Sequence, residues 1–248
     1  MIILYDNNVY DATSIAGTID AYGDEALVEP RLSSVAITDG LSSQYIVFSH
    51  ASAVAVTYAC LYGTNLTSGA TVVLEGNSSD SWSTPAVSLT LSYAEKAGTF
   101  LGSMASASYA YWRLTITDSG NSDSELTIPW FFYGIALTMP GMELGQTLSR
   151  ASNALSKKSA AGQLYGGKKL KPKSAEIVFN DIEDSEKKDI ETFIDYCDIT
   201  HPFIILVWEN DLDVEPPIFV SLNELPTWKR NTGHGLLWNM SLKMEECF

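Results

Sequence analysis

The sequence predicts a mainly β protein: an N-terminal β-sandwich over residues 1–140, followed by a β-rich α+β domain over residues 141–248 with one short helix. Three observations predict this class. Short runs rich in β-branched and aromatic residues alternate with Gly, Ser and Asn turns through the first half. Some segments alternate between apolar and polar residues. A single stretch, in the second half, has the periodicity of an amphipathic helix.

The predicted strands of the first half are short, and turn residues separate them, as is typical of a sandwich or jelly roll. They cover residues 45–48, 54–58, 71–74, 87–91, 109–117 and 131–137. Within the fifth strand, Trp112, Leu114 and Ile116 share one face and Arg113 lies on the other. We expect Arg113 to pair with a carboxylate or with carbonyl groups at a sheet surface or interface.

The second half combines strands with the predicted helix. Residues 175–179 alternate as a strand, and residues 202–208 have the continuous apolar character of a buried strand. Between them, residues 184–197 predict a helix that begins at Asp184 and Ser185. Its apolar face comprises Ile190, Phe193, Ile194 and Cys197.

The last predicted strand, residues 236–244, has the clearest alternation in the sequence. We expect its apolar face to form the core of the second domain. That face comprises Leu236, Trp238, Met240, Leu242 and Met244.

Charge changes at the turn signal formed by residues 139–141, where we place the domain boundary. The chain carries 30 acidic and 15 basic residues, a net charge of −15, which disfavours nucleic-acid binding dominated by phosphate contacts. Residues 1–140 contribute −10 and residues 141–248 contribute −5. Seven of the basic residues fall between Arg150 and Lys173, a stretch without acidic residues.

The three cysteines, Cys60, Cys197 and Cys247, are too few and too scattered for a disulfide framework or a zinc site. They favour free thiols in a reducing compartment. No apolar run approaches the roughly 18 residues of a membrane span, and the N-terminus lacks the basic region of a secretory signal. We expect no membrane insertion, and a protein that acts where it is made or leaves the cell by lysis.

Fingerprints of common enzymes are missing: the sequence has no HExxH, P-loop, GxSxG or GxGxxG motif. The histidines, His50, His201 and His234, lie in unrelated contexts, and we interpret them as ordinary surface or loop residues. We predict no catalytic residues, no metal and no cofactor. A hydrolase is the least favoured functional class.

One polar turn has oxygen ligands that calcium could use. Asp118, Asn121 and Asp123 follow the fifth predicted strand, but their spacing differs from the D-x-[DN]-x-[DN]-G pattern. We interpret them as a turn held by Asx hydrogen bonds.

Residues 150–173 are basic and lack apolar periodicity, which predicts a long mobile loop or arm. One interpretation is a solvated loop. The other is an arm that becomes ordered against the acidic surface of a neighbouring subunit. The side chains predicted to contact that neighbour are Lys157, Lys158, Leu164, Tyr165, Lys168, Lys169, Lys171 and Lys173.

Aromatic residues near the loops of the first half offer a different kind of surface. Aromatic rings can stack on the C–H groups of sugars while amide and carboxylate groups bond the hydroxyls. The candidates for glycan contact are Tyr62, Asn65 and Trp82. The alternative is that most of these rings belong to the core.

Three motifs occur in order within residues 33–138: Y-G-T-N-L at 62–66, L-E-G-N-S-S-D-x-W at 74–82 and Y-W-R-L-T-I-T-D at 111–118. In this order they resemble the discoidin-like (coagulation factor 5/8 type C) sandwich. The resemblance implies a jelly-roll fold for the first half. The cysteine bridge that flanks many extracellular members is absent from this sequence.

A second series spans residues 30–245. The motif at 111–118 is followed by F-Y-G-x-A-L at 132–137, G-x-x-Y-G at 162–166 and P-F-I-I-L at 202–206. The series is similar to tail-tip proteins of long-tailed, Mu-like phages. It implies a structural subunit of a distal-tail or baseplate ring that joins the tail tube to the central hub or receptor-binding apparatus.

We therefore predict a non-enzymatic virion protein of the tail tip, assembled in the host cytoplasm. Its expected partners are further copies of itself in a homo-oligomeric ring and the tail tube, tape-measure or hub proteins of the same tail. An acidic face and a basic arm would supply the two unlike surfaces of a heterologous ring interface. The alternative function is a carbohydrate-binding module that recognises a host surface glycan.

Overall fold

The computed structural model describes residues 1–20, 23–29, 31–94, 98–140, 147–150, 156–158, 164–166, 172–207, 217–231 and 237–247. The chain divides into two units. Unit 1 comprises Met1–Thr138 and Phe203–Phe219, and unit 2 comprises Met139–Pro202 and Val220–Cys247. The first segment of unit 1 ends next to the predicted boundary at residue 140, whereas the segment from Phe203 returns to unit 1.

The described elements confirm the predicted fold class, which is mainly β, and their sheets contain many antiparallel strand pairs. In chain order they are β1 (Ile2–Leu4), β2 (Ser14–Gly17), α1 (Gly23–Val28), β3 (Ala36–Ile37), β4 (Gln44–Tyr62), β5 (Thr71–Asn77), β6 (Val87–Ala94), β7 (Thr99–Thr117), β8 (Thr127–Ile128), β9 (Trp130–Gly134), β10 (Leu137–Thr138), β11 (Thr147–Arg150), β12 (Ser156–Lys158), β13 (Leu164–Gly166), β14 (Lys173–Ile182), α2 (Asp184–Cys197), β15 (Phe203–Leu206), β16 (Ile218–Leu222), β17 (Lys229–Asn231) and β18 (Leu237–Glu246). None of the helices in the described ranges is long and apolar enough to cross a membrane.

Two long strands, β4 and β7, form the frame of unit 1. They pair with each other along most of their lengths, and the register shifts after Ser49 and again after Val56. The first half of β4 also pairs with β2, and its second half pairs with β9. The second half of β7 pairs with β5, while its start pairs with the end of β6. Through these pairings β4 and β7 join six strands into one sheet.

An apolar core contains side chains from most of the strands of unit 1. The predicted alternation in β7 is confirmed, since Trp112, Leu114 and Ile116 are all buried. The rings of Phe48 and Tyr133 pack in the same core with their centroids 5.0 Å apart. The core thus joins β4, β7 and β9 through large side chains.

Two short elements of unit 1 differ from the sequence prediction. Residues of α1 form a helix where none was predicted, because six residues are too few to show a helical period. The single strand predicted over 131–137 is two strands, β9 and β10, and β10 leaves β9 to pair with β1.

In unit 2, β14 and β18 form the central antiparallel pair. The edge strand β11 pairs with β14, while β17 and the last three residues of β16 pair with β18. Helix α2 buries the predicted face of Ile190, Phe193, Ile194 and Cys197, which confirms the helix and its orientation.

The N-cap of α2 lies one residue before the predicted cap at Asp184. Glu183 is the N-cap, and it forms a reciprocal capping box with Glu186. The backbone N–H of Glu183 donates to Glu186 Oε2 at 2.8 Å.

Strand β18 buries only part of its predicted apolar face. Met240, Leu242 and Met244 are buried, but Trp238 is only half-buried. Trp238 is therefore not the fully buried core residue that was predicted, because its indole N–H donates to Asp184 Oδ1 at 2.7 Å at the edge of the core. Leu236 lies outside the described residues.

In the basic segment, for which a long mobile loop or arm was predicted, two short stretches are paired strands. Strands β12 and β13 pair in the register Ser156–Gly166 to Lys158–Leu164, and so place Lys157 opposite Tyr165 in a hairpin. Local antiparallel pairing satisfies backbone groups that an irregular arm would leave to water. Lys173 begins β14, and its N–H donates to Glu246 Oε2 at 2.9 Å. Three further lysines of the prediction lie outside the described residues: Lys168, Lys169 and Lys171.

Candidate functional site

A cluster of charged and aromatic side chains lies at the surface of unit 1. We call it the Trp82 cluster; it consists of Glu75, Asp80, Trp82 and Arg113. Glu75 on β5 and Arg113 on β7 are direct cross-strand partners. Asp80 and Trp82 lie in the connection between β5 and β6.

The ion pair between Arg113 and Glu75 forms the base of the cluster. Arg113 Nε donates to Glu75 Oε2 at 2.8 Å, and an Arg113 terminal nitrogen lies 2.6 Å from the same oxygen. The two side chains are 21% and 15% exposed. The prediction that Arg113 pairs with a carboxylate at a sheet surface is confirmed. Such charge-assisted bonds are stronger than neutral ones, so Arg113 is held in one position.

The indole of Trp82 is fixed at two places. Arg113 Cζ lies 4.7 Å from the centroid of the ring, in a cation–π contact. Trp82 Nε1–H donates to Asp80 Oδ1 at 2.6 Å. Because the side chain is only half-buried, part of the ring still contacts solvent. The loop therefore presents an ordered aromatic surface beside charged groups.

Hydrogen bonds of Asn77 hold the loop that carries Trp82. Its Oδ1 accepts from the N–H of Ser78 at 2.8 Å, and its Nδ2 donates to the Ser81 carbonyl at 2.6 Å. Such bonds from an amide side chain to the nearby backbone are a reason why asparagine is favoured in turns. The preceding Gly76 packs closely, since a Cβ there would lie 2.9 Å from the Trp112 ring.

The cluster carries two carboxylates and one guanidinium, and so has a net negative charge. Each carboxylate uses one oxygen in the contacts above. Carboxylate oxygens accept hydrogen bonds and a guanidinium donates them. The cluster can therefore stack on an apolar face and bond hydroxyl groups at its edge.

The structure does not bring the other two predicted glycan residues to Trp82. Tyr62 is only 8% exposed, and its ring stacks on Phe219 with centroids 5.7 Å apart, so that face is closed to a ligand. Asn65 Nδ2 donates to Asp123 Oδ2 at 2.8 Å, and Asn65 Oδ1 accepts from the N–H of Thr127 at 2.8 Å. Both polar atoms of the Asn65 amide are therefore used in hydrogen bonds within the chain.

The predicted turn after β7 is confirmed as a hydrogen-bonded turn. Asp118 is buried and accepts from the Thr67 N–H at 2.8 Å and from Thr67 Oγ1 at 2.6 Å. Asn121 Nδ2 donates to Asp118 Oδ2 at 3.0 Å. In the part of the chain that the structure describes, no group of three His, Cys, Asp or Glu residues is arranged to hold a metal ion.

His50 differs from its sequence interpretation as a surface or loop residue. It is buried, and its Nε2 lies 2.7 Å from Tyr133 Oη. Burial lowers the pKa of His50, and nearby Asp11 acts in the opposite direction. Burial also raises the pKa of Tyr133 well above its ordinary value. The spacing of His50 from the core residue Phe48 on β4 is a signal that sequence reasoning missed.

No protein-family model matches this sequence, and no curated protein matches it. Among solved structures, the chain is similar to the lectin domain of lectinolysin in complex with Lewis B antigen, at 12% identity and a TM-score of 0.41, covering 52% of this chain and 97% of that one. It is also similar to the fucose-binding module SpX-3 of Streptococcus pneumoniae, at 11% identity and a TM-score of 0.40, covering 52% and 98%. A third similar structure is chitosan-binding module 2 of a chitosanase/glucanase from Paenibacillus sp. IK-5, at 18% identity and a TM-score of 0.40, covering 52% and 100%.

Proposed function

We propose that unit 1 is a non-catalytic carbohydrate-binding module and that the Trp82 cluster is its contact surface. The observation that supports this most is the half-buried indole of Trp82, fixed by Arg113 and Asp80. This function is the alternative that the sequence left open.

An ordered aromatic ring suits a sugar ligand for an energetic reason. Binding costs the entropy of every side chain that has to be immobilised, at about 0.5–1.5 kcal/mol for a flexible one. Trp82 and Arg113 are already held by the folded chain, so that cost is largely met before binding. The ring covers the C–H face of a sugar, and the neighbouring carboxylates accept from its hydroxyls.

A glycan array probed with the full chain tests the proposal. We expect a subset of glycans to bind and Trp82→Ala to reduce that binding at least about tenfold, the equivalent of roughly 1.4 kcal/mol. Tyr45→Ala is the matched control, because Tyr45 is a 43% exposed aromatic residue of the same unit outside the cluster. An array without any bound glycan, or binding that Trp82→Ala leaves intact, contradicts the proposal.

We propose as a second function that the chain is a structural subunit of a phage tail tip, assembled in the host cytoplasm. One observation favours it: among the described strands, β12 and β13 pair only with each other. A two-stranded hairpin is marginally stable alone in water. Contact with an acidic surface of a neighbouring subunit would stabilise this basic hairpin. Ring copies and tail-tube, tape-measure or hub proteins are the partners under this proposal.

A further inference from the structure

Unit 2 contains a groove of about 610 Å³ that the Trp82 cluster does not involve. Its floor is the outer face of the β14–β18 pair, formed by the residues that alternate with the buried Ile177 and Leu242. The connection between β16 and β17 forms its wall. The charged and exposed aliphatic side chains of its lining are Glu176, Val178, Glu224, Leu225, Lys229 and Lys243.

Strand register orders these side chains along the groove. Glu176 pairs with Lys243, and Val178 pairs with Ser241. Lys229 is opposite Asn239, which lies four residues along β18 from Lys243. At about 3.3 Å per residue, the groove runs for about 13 Å from the Glu176 end to the Lys229 end.

The two ends of the groove have opposite charge. At one end Lys243 Nζ lies 2.8 Å from Glu224 Oε1, and the pKa of Lys243 is raised by Glu224 and then by Glu176. Two carboxylates against one ammonium leave this end negative. Lys229 makes the other end positive.

The groove also exposes two aliphatic side chains among its polar ones. Val178 is 37% exposed and Leu225 is 54% exposed. No aromatic side chain occurs among the described residues that line the groove. Sugar sites depend on aromatic stacking, whereas aliphatic side chains of a peptide pack well on Val and Leu. The lining therefore favours a peptide over a glycan.

We propose that this groove binds an extended peptide segment of about four residues, with a basic group at the Glu176 end and a carboxylate at the Lys229 end. A chain of four extended residues spans about 13–14 Å, which matches the groove. Ser241 and Thr227 in the lining offer hydroxyl groups to the peptide backbone. An aliphatic side chain of the segment covers Val178 and Leu225.

Calorimetric titration of the full chain with end-capped tetrapeptides tests this site. The probes share an alanine and a leucine in the middle and carry lysine and glutamate, two lysines or two glutamates at the ends. We expect the lysine–glutamate peptide to bind best. In Lys229→Glu its affinity should fall about five- to tenfold, and the two-lysine peptide should become the preferred ligand.

Two controls keep the result specific to the groove. Lys188→Glu makes the same charge change on an exposed face of α2 outside the groove, and should leave the peptide preference unchanged. Trp82→Ala should also leave it unchanged, which separates this site from the proposed glycan surface. The inference is overturned if no tetrapeptide binds, if Lys229→Glu does not switch the preference, or if maltotriose binds instead in a Lys229-dependent manner.

Discussion

The residues of the Trp82 cluster are partly buried, so each of them can affect both the stability of the sheet and the contact with a ligand. Arg113 and Glu75 are shielded enough that losing one partner leaves the other poorly solvated, yet they reach the surface where a ligand could contact them. Trp82 covers the guanidinium and is in turn held by Asp80. The same contacts therefore stabilise the sheet and order the proposed binding surface.

Arg113→Ala should lower the free energy of unfolding by about 1–3 kcal/mol, because Glu75 keeps its charge without its hydrogen-bond partner. Urea denaturation measures the change, and Arg31→Ala, at an exposed arginine of the same unit, should change it by less than about 0.5 kcal/mol. The double variant Arg113→Ala/Glu75→Ala should lose less free energy of unfolding than the two single variants lose together. An unaltered denaturation midpoint in Arg113→Ala would falsify the structural role of the pair.

His50 should make stability depend on pH. Its pKa in the folded protein lies below the ordinary 6.5, so the unfolded chain takes up the proton first as pH falls. Its contribution is therefore fully present above pH 6.5 and is lost as pH falls through the folded pKa. Melting temperatures recorded from about pH 7.5 to about pH 5 should fall less steeply for His50→Gln than for the native chain.

His201→Gln is the control for this pH dependence, because His201 is exposed. It should retain the native slope. Equal slopes for the native chain and His50→Gln would show that the buried imidazole does not control the acid sensitivity.

At the scale of elements, β18 combines a core strand with a surface segment. Met240, Leu242 and Met244 are buried, whereas Trp238 donates from Nε1 to Asp184 Oδ1 at 2.7 Å. Lys187 Nζ lies 4.9 Å from the centroid of the Trp238 ring. Polar and cationic neighbours thus replace the apolar ones that the alternation predicted.

Replacing a buried residue of β18 should lower the free energy of unfolding more than replacing the half-buried Trp238. Leu242→Ala should cost about 3–4 kcal/mol by leaving a cavity. Trp238→Ala should cost only about 1–2 kcal/mol, because its ring contacts are partly with solvent and with cations. Urea denaturation of both variants measures the difference; equal losses would place Trp238 in the core after all.

At the scale of the whole molecule, an acidic chain carries its basic residues in one concentrated segment. The net charge is −15, yet residues 150–173 contain seven basic and no acidic residues. The hairpin of β12 and β13 lies within this segment. Such an arrangement favours contact between unlike surfaces of neighbouring chains over contact within a symmetric patch.

Under the tail-tip proposal, charge reversal in the basic segment should impair self-association without unfolding the subunit. Light scattering after size-exclusion chromatography should show a lower molar mass for the variant with glutamate at Lys157, Lys158, Lys168 and Lys169. Added salt should have a similar effect on the native chain, because it screens exposed charges. Lys188→Glu is the control, and a native chain that is monomeric at every concentration would exclude the ring.

The local periodicity of the sequence was sufficient to predict many of the strands and helix α2. The alternation in β7, the buried face of α2 and the pairing of Arg113 with a carboxylate all follow from which side chains share a face. Short segments without a full period, such as α1, could not be predicted in this way. Of the proposed glycan surface, the sequence singled out Trp82, while the position of Arg113 beneath it depends on how the β5–β6 connection folds back.

Periodicity by itself determined the mainly β class and the inward faces of the long strands and of α2, because backbone geometry sets which side chains point together. Only the tertiary structure decided which of those faces are covered. Tyr62 is closed off by Phe219, a residue of the segment that returns to unit 1 late in the chain. Trp238 stays partly exposed because its indole contacts Asp184 and Lys187 of α2 in place of apolar side chains. Both outcomes depend on contacts between distant segments, and the local pattern of a strand contains no information about which distant segment will cover it.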